Sequence, residues 1–364
     1  MEIERKTKKI LVELFLIKNQ FVGYSEFCTQ LGHGLSERAI ELKNKYNIEL
    51  YFLVEKEFDR YFGNNVKYIT MSHSLLPYLY LCPTSFDIFH ETRQTCNYSA
   101  PFRTKNVLLT VHDINFKYEK KGIKLQKYTK RFSKNSKKAN YINYISNFVK
   151  DDVHSLFIIN AEEKIIYNGT TDLKQNVPTE KPITDGNVPN DNFLFHISGL
   201  NPKKNIHLLI EMMQYLPNEK IVIAGNWNSE YGKSNKKKIT DLGLNNVICI
   251  NNVNEKQKAW LYANCKAFCF PSLCEGFGLP PIEAMYFGKP VFLSNLTSLP
   301  EIGGNYAFYF DNLSPQNMAE TINMNIKNMS NDLPEKLKAN AAKFSWEKCI
   351  DNYINYYLKI LNIK

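Results

Sequence analysis

Short apolar runs alternate with longer segments of helical periodicity along most of the chain. In the first half, seven runs have the length and composition of buried strands. These runs are ILVELFLI (10–17), IELYFLV (48–54), VKYIT (66–70), FDIFH (86–90), NVLLTVHD (106–113), ANYINYIS (139–146) and KIIYNG (164–169). A long segment of helical spacing, residues 25–42, follows the first run. Strands that alternate with helices in this way predict a parallel sheet covered by helices.

The pattern stops after Gly169 and resumes at Phe193. Residues 170–192 are rich in Pro, Asn, Thr and Asp, a composition typical of a linker. A second series of strand candidates follows: FLFHISGL (193–200), KIVIAG (220–225), VICINN (247–252), AFCFPS (267–272), PVFLSN (290–295) and YAFYFD (306–311). The chain therefore contains two successive α/β patterns.

The two series predict two Rossmann-like, doubly wound α/β domains of similar size. We place the first domain at residues 1–172, the linker at 173–190 and the second domain at 191–345. In open α/β sheets, ligands bind beyond the carboxyl ends of the strands, where the strand order reverses. We therefore expect the functional site in a cleft between the two domains.

The composition is that of an ordinary globular protein, with 364 residues, 44% hydrophobic and 23% charged. No apolar run approaches the ~18 residues of a membrane-spanning helix. Residues 1–17 begin with basic residues, but the apolar part is short and interrupted by Glu13, so we predict a strand and not a signal peptide. The eight cysteines show no C-x-x-C spacing, so we expect reduced thiols in the cytoplasm and no metal site.

The net charge of +10 and the sequence pI near 9.0 favour an anionic partner. Nucleic acid, a phosphorylated small molecule and a membrane surface all fit this charge. No nucleic-acid-binding motif is present, so we expect no nucleic-acid partner. The abundance of lysine raises the charge whether or not it serves a function.

One segment combines a strand end, a glycine loop and a helix start. It is PSLCEGFGLPPIEAMYFGKPV (271–291), with Glu275 before a Gly-Phe-Gly turn and Glu283 in the first turn of the predicted helix. Gly276 and Gly278 let the backbone approach a ligand closely, and the helix N-terminus favours phosphate. Glu275 could then bind sugar hydroxyls and Glu283 a ribose diol. In the alternative interpretation, Glu283 is only a favourable first-turn charge and Glu275 a surface residue.

Three further segments carry candidate residues at strand ends. Lys203 and Lys204 follow the first strand of the second series and precede a helix, an arrangement that suits an anion, although two loop lysines are usually only solvated. His112 follows an apolar strand, and Asp113 could orient its ring; the alternative is a satisfied polar residue at the core edge. Gly23 lies between the first strand and the first helix, without the full G-x-G-x-x-G pattern.

Together these segments resemble glycosyltransferase family 4, whose members have the GT-B architecture of two Rossmann-like domains facing a central cleft. Residues 271–291 are similar to the family's E-x7-E signature, and residues 294–311 to its usual continuation. The other similar segments are the basic phosphate loop NPKKN (201–205), the histidine segment TVHDINF (110–116), the run YISNFVKDDV (144–153) through IIYNG (165–169), and the last helix FSWEKCIDNYINYYL (344–358). The resemblance implies that the helix at 346–364 packs back on the first domain.

The resemblance also implies a role for each candidate residue. The donor-binding residues would be Gly23, Lys203, Lys204, Val253, Glu275, Gly276, Phe277, Gly278, Leu279 and Glu283. Glu275 and the amides after it would hold the donor sugar and phosphate, Glu283 the ribose, the two lysines the diphosphate, and Val253 would lie near the nucleobase. His112, Glu275 and Lys204 would be catalytic, with His112 near the anomeric carbon.

The function implied is that of a retaining hexosyltransferase that needs no metal or cofactor, because protein cations neutralise the leaving diphosphate. It would move a sugar from a nucleotide sugar, for which we choose GDP-mannose first, to a glycan or lipid-linked acceptor of lipopolysaccharide or capsule. Three alternatives stay open: a nucleotide-sugar epimerase, a glucan phosphorylase, and a catalytically silent nucleotide-sugar-binding protein.

Two departures from the family pattern concern the donor and acceptor loops. Many members carry an arginine near the position of Gly199 and another where Lys203 stands, and lysine lacks the bidentate fork of arginine. The usual second glycine of the first-domain loop is Ser25.

The densest charge run lies at residues 117–138. At about 100° per residue, its basic residues form one helical stripe beside three apolar ones. The stripe is Lys120, Lys124, Lys127, Arg131, Lys134 and Lys138, and the apolar residues are Leu125, Tyr128 and Phe132. Two interpretations stay open: 120–138 attaches the protein peripherally to the inner membrane face through anionic lipids, or its apolar edge packs on the first domain and the lysines are only solvated.

Overall fold

The computed structural model describes residues 6–15, 17, 23–176, 179–183 and 188–363. Two compact units make up the chain: Met1–Gly169 together with Trp346–Lys364, and Thr170–Ser345. Each unit is built on one sheet whose paired strands all run parallel. The prediction of two doubly wound α/β domains is therefore confirmed.

Seven strands lie in the part of the first unit that the structure describes. They are β1 (Lys8–Glu13), β2 (Ile48–Glu55), β3 (Lys67–Met71), β4 (Ile88–Glu91), β5 (Asn106–Val111), β6 (Tyr141–Tyr144) and β7 (Glu162–Ile165). Its helices are α1 (Gly23–Tyr46), α2 (Phe116–Glu119), α3 (Gly122–Lys138), α4 (Asn147–His154) and, near the chain end, α13 (Trp346–Ile360), with 3₁₀ helices Lys56–Phe58 and His73–Leu81. The strand order is β3-β2-β1-β4-β5-β6-β7, so the order reverses between β1 and β4.

The alternation along the strands gives this sheet two buried faces. Val12 of β1 lies in the core under α1 and α13, whereas its neighbour Leu11 lies in a second core on the opposite face. In that second core, Leu76 and Leu79 of the 3₁₀ helix His73–Leu81 are buried with Phe89 of β4. The 3₁₀ helix thus covers the face opposite α1.

Tyrosines fix α13 to the first sheet. The hydroxyl of Tyr357 lies 2.6 Å from His90 Nδ1, and the hydroxyl of Tyr353 lies 3.2 Å from Thr110 Oγ1. Asn143 Nδ2 donates to the Tyr353 hydroxyl at 2.8 Å. All of these side chains are buried, so the polar bonds give α13 one fixed position on the sheet.

The second unit contains six strands. They are β8 (Phe193–Ile197), β9 (Ile221–Ala224), β10 (Val247–Ile250), β11 (Cys265–Phe270), β12 (Val291–Ser294) and β13 (Phe308–Phe310). Its helices are α5 (Leu173–Asn176), α6 (Ile206–Met212), α7 (Glu230–Asp241), α8 (Glu255–Asn264), α9 (Leu279–Tyr286), α10 (Leu299–Gly303), α11 (Pro315–Lys327) and α12 (Leu333–Ala341), with 3₁₀ helices Pro202–Lys204, Met213–Tyr215, Gly304–Tyr306 and Ala342–Phe344. The strand order is β10-β9-β8-β11-β12-β13, which reverses between β8 and β11.

All thirteen predicted strands are present, but most of the predicted runs extend beyond them, and the runs at β1 and β7 show why. The first strand ends at Glu13, yet Phe15 and Ile17 beyond it are buried. Likewise β7 ends at Ile165, and the buried Ile166 follows it. In both places burial of an irregular segment, and not strand geometry, explains the apolar residues.

The segment between the units begins close to the predicted linker. Gly169 ends the first unit against Trp346, where an added Cβ would lie 2.4 Å from the Trp346 Cα. The predicted linker, 173–190, contains α5, and its residues 177–178 and 184–187 lie outside the described residues.

Candidate active site

The centre of the candidate site lies at the point of the second sheet where the strand order reverses. Because β8 and β11 are neighbours there, the loops that follow them meet at one edge. Leu273 donates its backbone N–H to the carbonyl of Lys203 at 2.7 Å, and Asn205 Nδ2 donates to the carbonyl of Pro271 at 2.9 Å. These bonds hold the lysine loop against the glycine loop.

Lys204 and Glu275 form an ion pair between the two loops. Their side chains are only 13% and 14% exposed. Ser272 Oγ also donates to Glu275 Oε1 at 2.5 Å, and the Lys204 ammonium lies 5.0 Å from the centre of the Phe270 ring. Glu275 is therefore not the solvated surface residue of the alternative interpretation, and its carboxylate pairs with the ammonium of Lys204.

The glycine loop has a fixed backbone. Gly278 has φ +132°, a value that side-chain-bearing residues rarely adopt, and it precedes the first residue of α9. Ser298 Oγ bonds the carbonyls of Glu275, at 3.1 Å, and Phe277, at 2.5 Å. The Glu275 N–H donates to Thr297 Oγ1 at 3.1 Å. The loop thus rests on the start of α10, and the positive end of α9 follows directly.

Glu283 lies further along α9 than the sequence indicated. The helix begins at Leu279, so Glu283 is its fifth residue and no acidic side chain occupies the first turn. The first-turn-charge interpretation is therefore wrong. Glu283 instead accepts from Lys258 Nζ at 3.0 Å and from the Tyr262 hydroxyl at 2.8 Å, both from α8.

The partners of Glu283 are themselves held in the interior. Burial would lower the pKa of Lys258, but Glu283 and Glu255 raise it above its ordinary value. Burial, and then Glu283, raise the pKa of Tyr262 well above its usual range. Lys258 is therefore charged and Tyr262 protonated at neutral pH, and both hold the carboxylate of Glu283 in place.

Val253, the candidate for a nucleobase contact, is half-buried in the loop between β10 and α8. The strand order places β9 between this loop and the one that carries Lys204. Asn254, the next residue, caps α8. The loop that carries Val253 is therefore connected to Glu283 through helix α8, and not through the Lys204–Glu275 ion pair.

His112 lies at the carboxyl edge of the first sheet as a neutral imidazole. Burial lowers its pKa to about 4, although the bond to the Thr92 carbonyl acts in the opposite direction. Nε2 lies 3.0 Å from that carbonyl oxygen, so Nε2 carries the proton and Nδ1 is an acceptor. The rings of Tyr24 and Phe27 contact its edges, and Asp113 Oδ1 accepts the N–H of Asn115.

Gly23 is the first residue of α1 and is exposed, whereas Ser25 is buried and donates to the carbonyl of Ile17 at 2.7 Å. Ser25 therefore ties α1 to the chain after β1. Residues 18–22, which complete the predicted loop, lie outside the described residues.

Sequence reasoning did not identify several residues of both sites. In the first unit, Glu13 at the end of β1 is fully buried and accepts from Thr92 Oγ1 at 2.8 Å. In the second unit, Lys258, Tyr262 and Ser298 hold the predicted residues. A buried glutamate within an apolar run was one signal available for Glu13, but α8 and α10 carry no motif that marks the other three.

Among the described residues, no group of three or more His, Cys, Asp or Glu side chains is placed to hold a metal ion. The expectation of a reaction without metal stays a prediction.

Comparison with known proteins agrees with this geometry. Residues 179–344 match the family described as Glycosyl transferases group 1. O-antigen chain mannosyltransferase B of Escherichia coli is 27% identical over 282 residues, 72% of this chain and 72% of that protein. O-antigen chain mannosyltransferase RfbU of Salmonella typhimurium is 27% identical over 218 residues, 59% of each. The structure of HepE from Anabaena in complex with UDP and glucose has a TM-score of 0.70 and 18% identity, over 97% of this chain and 100% of that one.

The fold and the paired loops define a glycosyltransferase of the GT-B class. Residues 179–344 form a group 1 glycosyltransferase domain. With its mannosyltransferase relatives, this domain makes the chain a hexosyltransferase.

Proposed function

We propose that the protein transfers a mannosyl unit from GDP-mannose to a growing glycan of the O-antigen type, with retention of configuration at the anomeric carbon. The Lys204–Glu275 pair at the reversal point of a group 1 domain carries the proposal, because it places a cation and a hydroxyl acceptor side by side. The mannosyl choice rests on two relatives that are named O-antigen chain mannosyltransferases.

In the transfer, the bond between the sugar C1 and the diphosphate oxygen breaks and C1 bonds to an acceptor hydroxyl. The hydroxyl proton leaves to the departing diphosphate or to water. Lys203, Lys204 and the N-terminus of α9 stabilise the negative charge that grows on the diphosphate. When the Lys204 side chain binds the donor phosphate, Glu275 becomes available to accept hydrogen bonds from the sugar hydroxyls.

Glu283 is proposed to accept hydrogen bonds from the two ribose hydroxyls of the donor. Its carboxylate is oriented by Lys258 and Tyr262, so the remaining lone pairs are presented in one direction. His112 is proposed to accept, at Nδ1, a hydrogen bond from a hydroxyl of the transferred sugar. As a neutral imidazole it adds no positive charge near a developing oxocarbenium centre.

A UDP-hexose is the second candidate donor, because HepE was solved with UDP and glucose and shares the fold. A thermal-shift panel of GDP-, UDP-, dTDP- and ADP-sugars, with and without chelator, separates the two. A donor at about 100 times its Kd adds about 2.7 kcal/mol, or roughly 2–4 °C for units of this size.

The test of the reaction is release of GDP from GDP-mannose that depends on a lipid-linked or soluble glycan acceptor, followed by digestion of the product with α- and β-mannosidases. Cleavage by α-mannosidase supports retention, since the donor is an α-glycoside. Conversion of the donor without an acceptor would indicate an epimerase. Phosphate-dependent turnover with a pyridoxal chromophore would indicate a phosphorylase, and donor binding without turnover would indicate a catalytically silent protein.

We further propose that the protein attaches peripherally to an anionic membrane through the basic segment 120–138. Among the described residues, no helix is long and apolar enough to cross a membrane. Lys124, Lys127 and Lys134 of α3 are exposed. Lys120, however, is not on the predicted stripe, because Lys121 is extended and α3 begins only at Gly122.

Vesicle flotation tests this attachment. Charge reversal at Lys124, Lys127 and Arg131 is expected to weaken binding to vesicles that contain phosphatidylglycerol. If the charge-reversal variant floats with the vesicles as wild type does, α3 does not contact the membrane.

A further inference from the structure

Apart from Ile123 in its first turn, which is 84% exposed, the basic helix α3 turns its apolar side chains toward the first unit. Phe132 is fully buried, and its ring centre lies 4.6 Å from that of Phe157 and 6.3 Å from that of Phe116. Tyr128 also contacts Phe116, at 6.0 Å. The apolar edge of α3 therefore packs on the first unit. Since α3 leaves only Ile123 strongly exposed, a larger apolar contact with lipid would have to come from another element.

The 3₁₀ helix His73–Leu81 presents such an element. With three residues per turn, side chains three apart lie in one row. Leu76 and Leu79 form the row buried in the core, whereas Leu75, Tyr78 and Leu81 form a second row that is 45%, 56% and 58% exposed. A nine-residue 3₁₀ helix is unusually long, and this one keeps an entire apolar row outside the core.

Phe102 extends this exposed row. Its side chain is 63% exposed, and its backbone N–H donates to the carbonyl of Tyr80 at 3.1 Å. We call Leu75, Tyr78, Leu81 and Phe102 the apolar patch. Exposed apolar side chains grouped along one helical row and beside its end favour a contact surface, because isolated ones are common but groups are not.

Positive charge adjoins the Phe102 end of the apolar patch. The guanidinium of Arg103 lies 5.0 Å from the centre of the Phe102 ring. Lys138, at the end of α3, donates to Ser99 Oγ at 3.0 Å, so the basic helix adjoins the segment that carries Phe102. Asn135 of α3 also donates to the carbonyl of Cys96, which belongs to the same core as Leu76. The patch and the basic helix are therefore parts of one face of the first unit.

We propose that the apolar patch inserts into the outer layer of an anionic lipid membrane and is the hydrophobic anchor of the protein, with α3 supplying the attraction to the headgroups. Apolar and aromatic side chains beside a basic helix are the combination that monotopic proteins bury at the headgroup boundary. An anionic surface fits better than a neutral one because Arg103 lies against the Phe102 ring and Lys138 of the basic helix bonds to Ser99 in the same segment. The inference rests on the proposed membrane attachment and names the residues that make it hydrophobic.

The test compares flotation on pure phosphatidylcholine vesicles and on vesicles that also contain phosphatidylglycerol. The patch variant is Leu75→Ser/Tyr78→Ser/Phe102→Ser. Its matched control is Ile40→Ser/Tyr61→Ser, which removes two exposed large side chains on the α1 side of the same unit, away from the patch and from α3. We expect the patch variant to bind anionic vesicles at least about tenfold more weakly than wild type, the loss of roughly one buried side chain. The control should bind as wild type does.

A second measurement does not depend on removing side chains. In Tyr78→Trp, the added fluorescence should shift to the blue on anionic vesicles and be quenched by brominated lipid, as expected for a side chain at the acyl boundary. Equal binding of patch variant and wild type, no blue shift, or a wild type that dimerises through the patch in solution would each overturn the proposal. Donor thermal shift and transfer to a soluble acceptor should be unchanged in the patch variant, so loss of those activities would count against the proposed function and not against the anchor.

Discussion

Lys258 and Glu283 join helices α8 and α9 by an ion pair of 3.0 Å, with both side chains largely buried. The Tyr262 hydroxyl donates to the other oxygen of the same carboxylate at 2.8 Å. The second glutamate of the glycine-loop segment is thus held by two groups four residues apart on one helix. Its orientation depends on α8 as much as on its own helix.

Lys258→Met should therefore weaken donor binding although Lys258 is not a proposed ligand. Loss of the ammonium leaves Glu283 with one partner and free to rotate, so we expect the KM for the donor to rise about tenfold while kcat changes less. Stability should fall by about 2 kcal/mol, the cost of leaving a buried charge unpaired. Steady-state kinetics and thermal melts measure both effects.

The control is Lys256→Met, which removes an exposed lysine from the same helix and should leave both quantities unchanged. An unchanged KM in Lys258→Met, with the stability loss present, would mean that the pair is structural only.

Lys204→Gln should reduce kcat by about 10²–10³, the usual loss when one group that stabilises a leaving anion is removed. Glu275 also loses its partner, and Ser272 remains bonded to it. Kinetics with a saturating donor measure the effect, and the exposed Lys233→Gln in the same unit is the control. A change confined to KM would show that Lys204 binds ground state and transition state equally.

The strands and the glycine loop could be predicted because their signals are local. The Lys204–Glu275 pair joins residues 71 positions apart, and it forms because β8 and β11 are neighbours in the sheet. No local sequence pattern indicates this strand order. Lys258 is one of many helical lysines, and only the fold shows which carboxylate it faces.

The exposed row of the 3₁₀ helix His73–Leu81 shows a different limit. Sequence patterns are read with periods of 3.6 for helices and 2 for strands. In HSLLPYLYL, the buried Leu76 and Leu79 are three residues apart, and so are the exposed Leu75, Tyr78 and Leu81, so neither period separates the two rows. The segment reads as uniformly apolar until the backbone is known.

Glu91→Gln should stabilise the protein increasingly as the pH rises. Burial raises the pKa of Glu91 from its ordinary 4.5 to about 8, with Cys96 and Asn135 donating to its carboxyl oxygen. Between these two pH values the folded state holds a proton that the unfolded state has lost, so wild-type stability falls as the pH rises. Glutamine has no proton to lose.

The difference in stability between Glu91→Gln and wild type should therefore grow by up to about 1.4 kcal/mol per pH unit in that window. Urea titrations at several pH values measure it, with the exposed Glu37→Gln as the control. A difference that stays constant with pH would show that Glu91 titrates alike in both states.

Gly199→Arg should improve donor binding without disturbing the fold. A Cβ at Gly199 would meet no atom within 4 Å, and its φ is not in the left-handed region, so the change should alter stability by less than about 0.5 kcal/mol. Gly199 lies in the loop between β8 and Lys204, and many members of the family carry an arginine near it. A guanidinium there can bind a diphosphate through a planar pair of parallel N–H groups, a geometry that a lysine ammonium does not have.

We expect the Kd for free GDP to fall about three- to tenfold in Gly199→Arg, and the gain to shrink at high salt, because it arises from one added charge-assisted contact. Calorimetric titration with GDP measures it. Gly199→Gln, which adds a long polar side chain without charge, is the matched control and should bind GDP as wild type does. Equal gains in the arginine and glutamine variants would show that chain length and not charge is responsible, and no gain in either would place the diphosphate away from this loop.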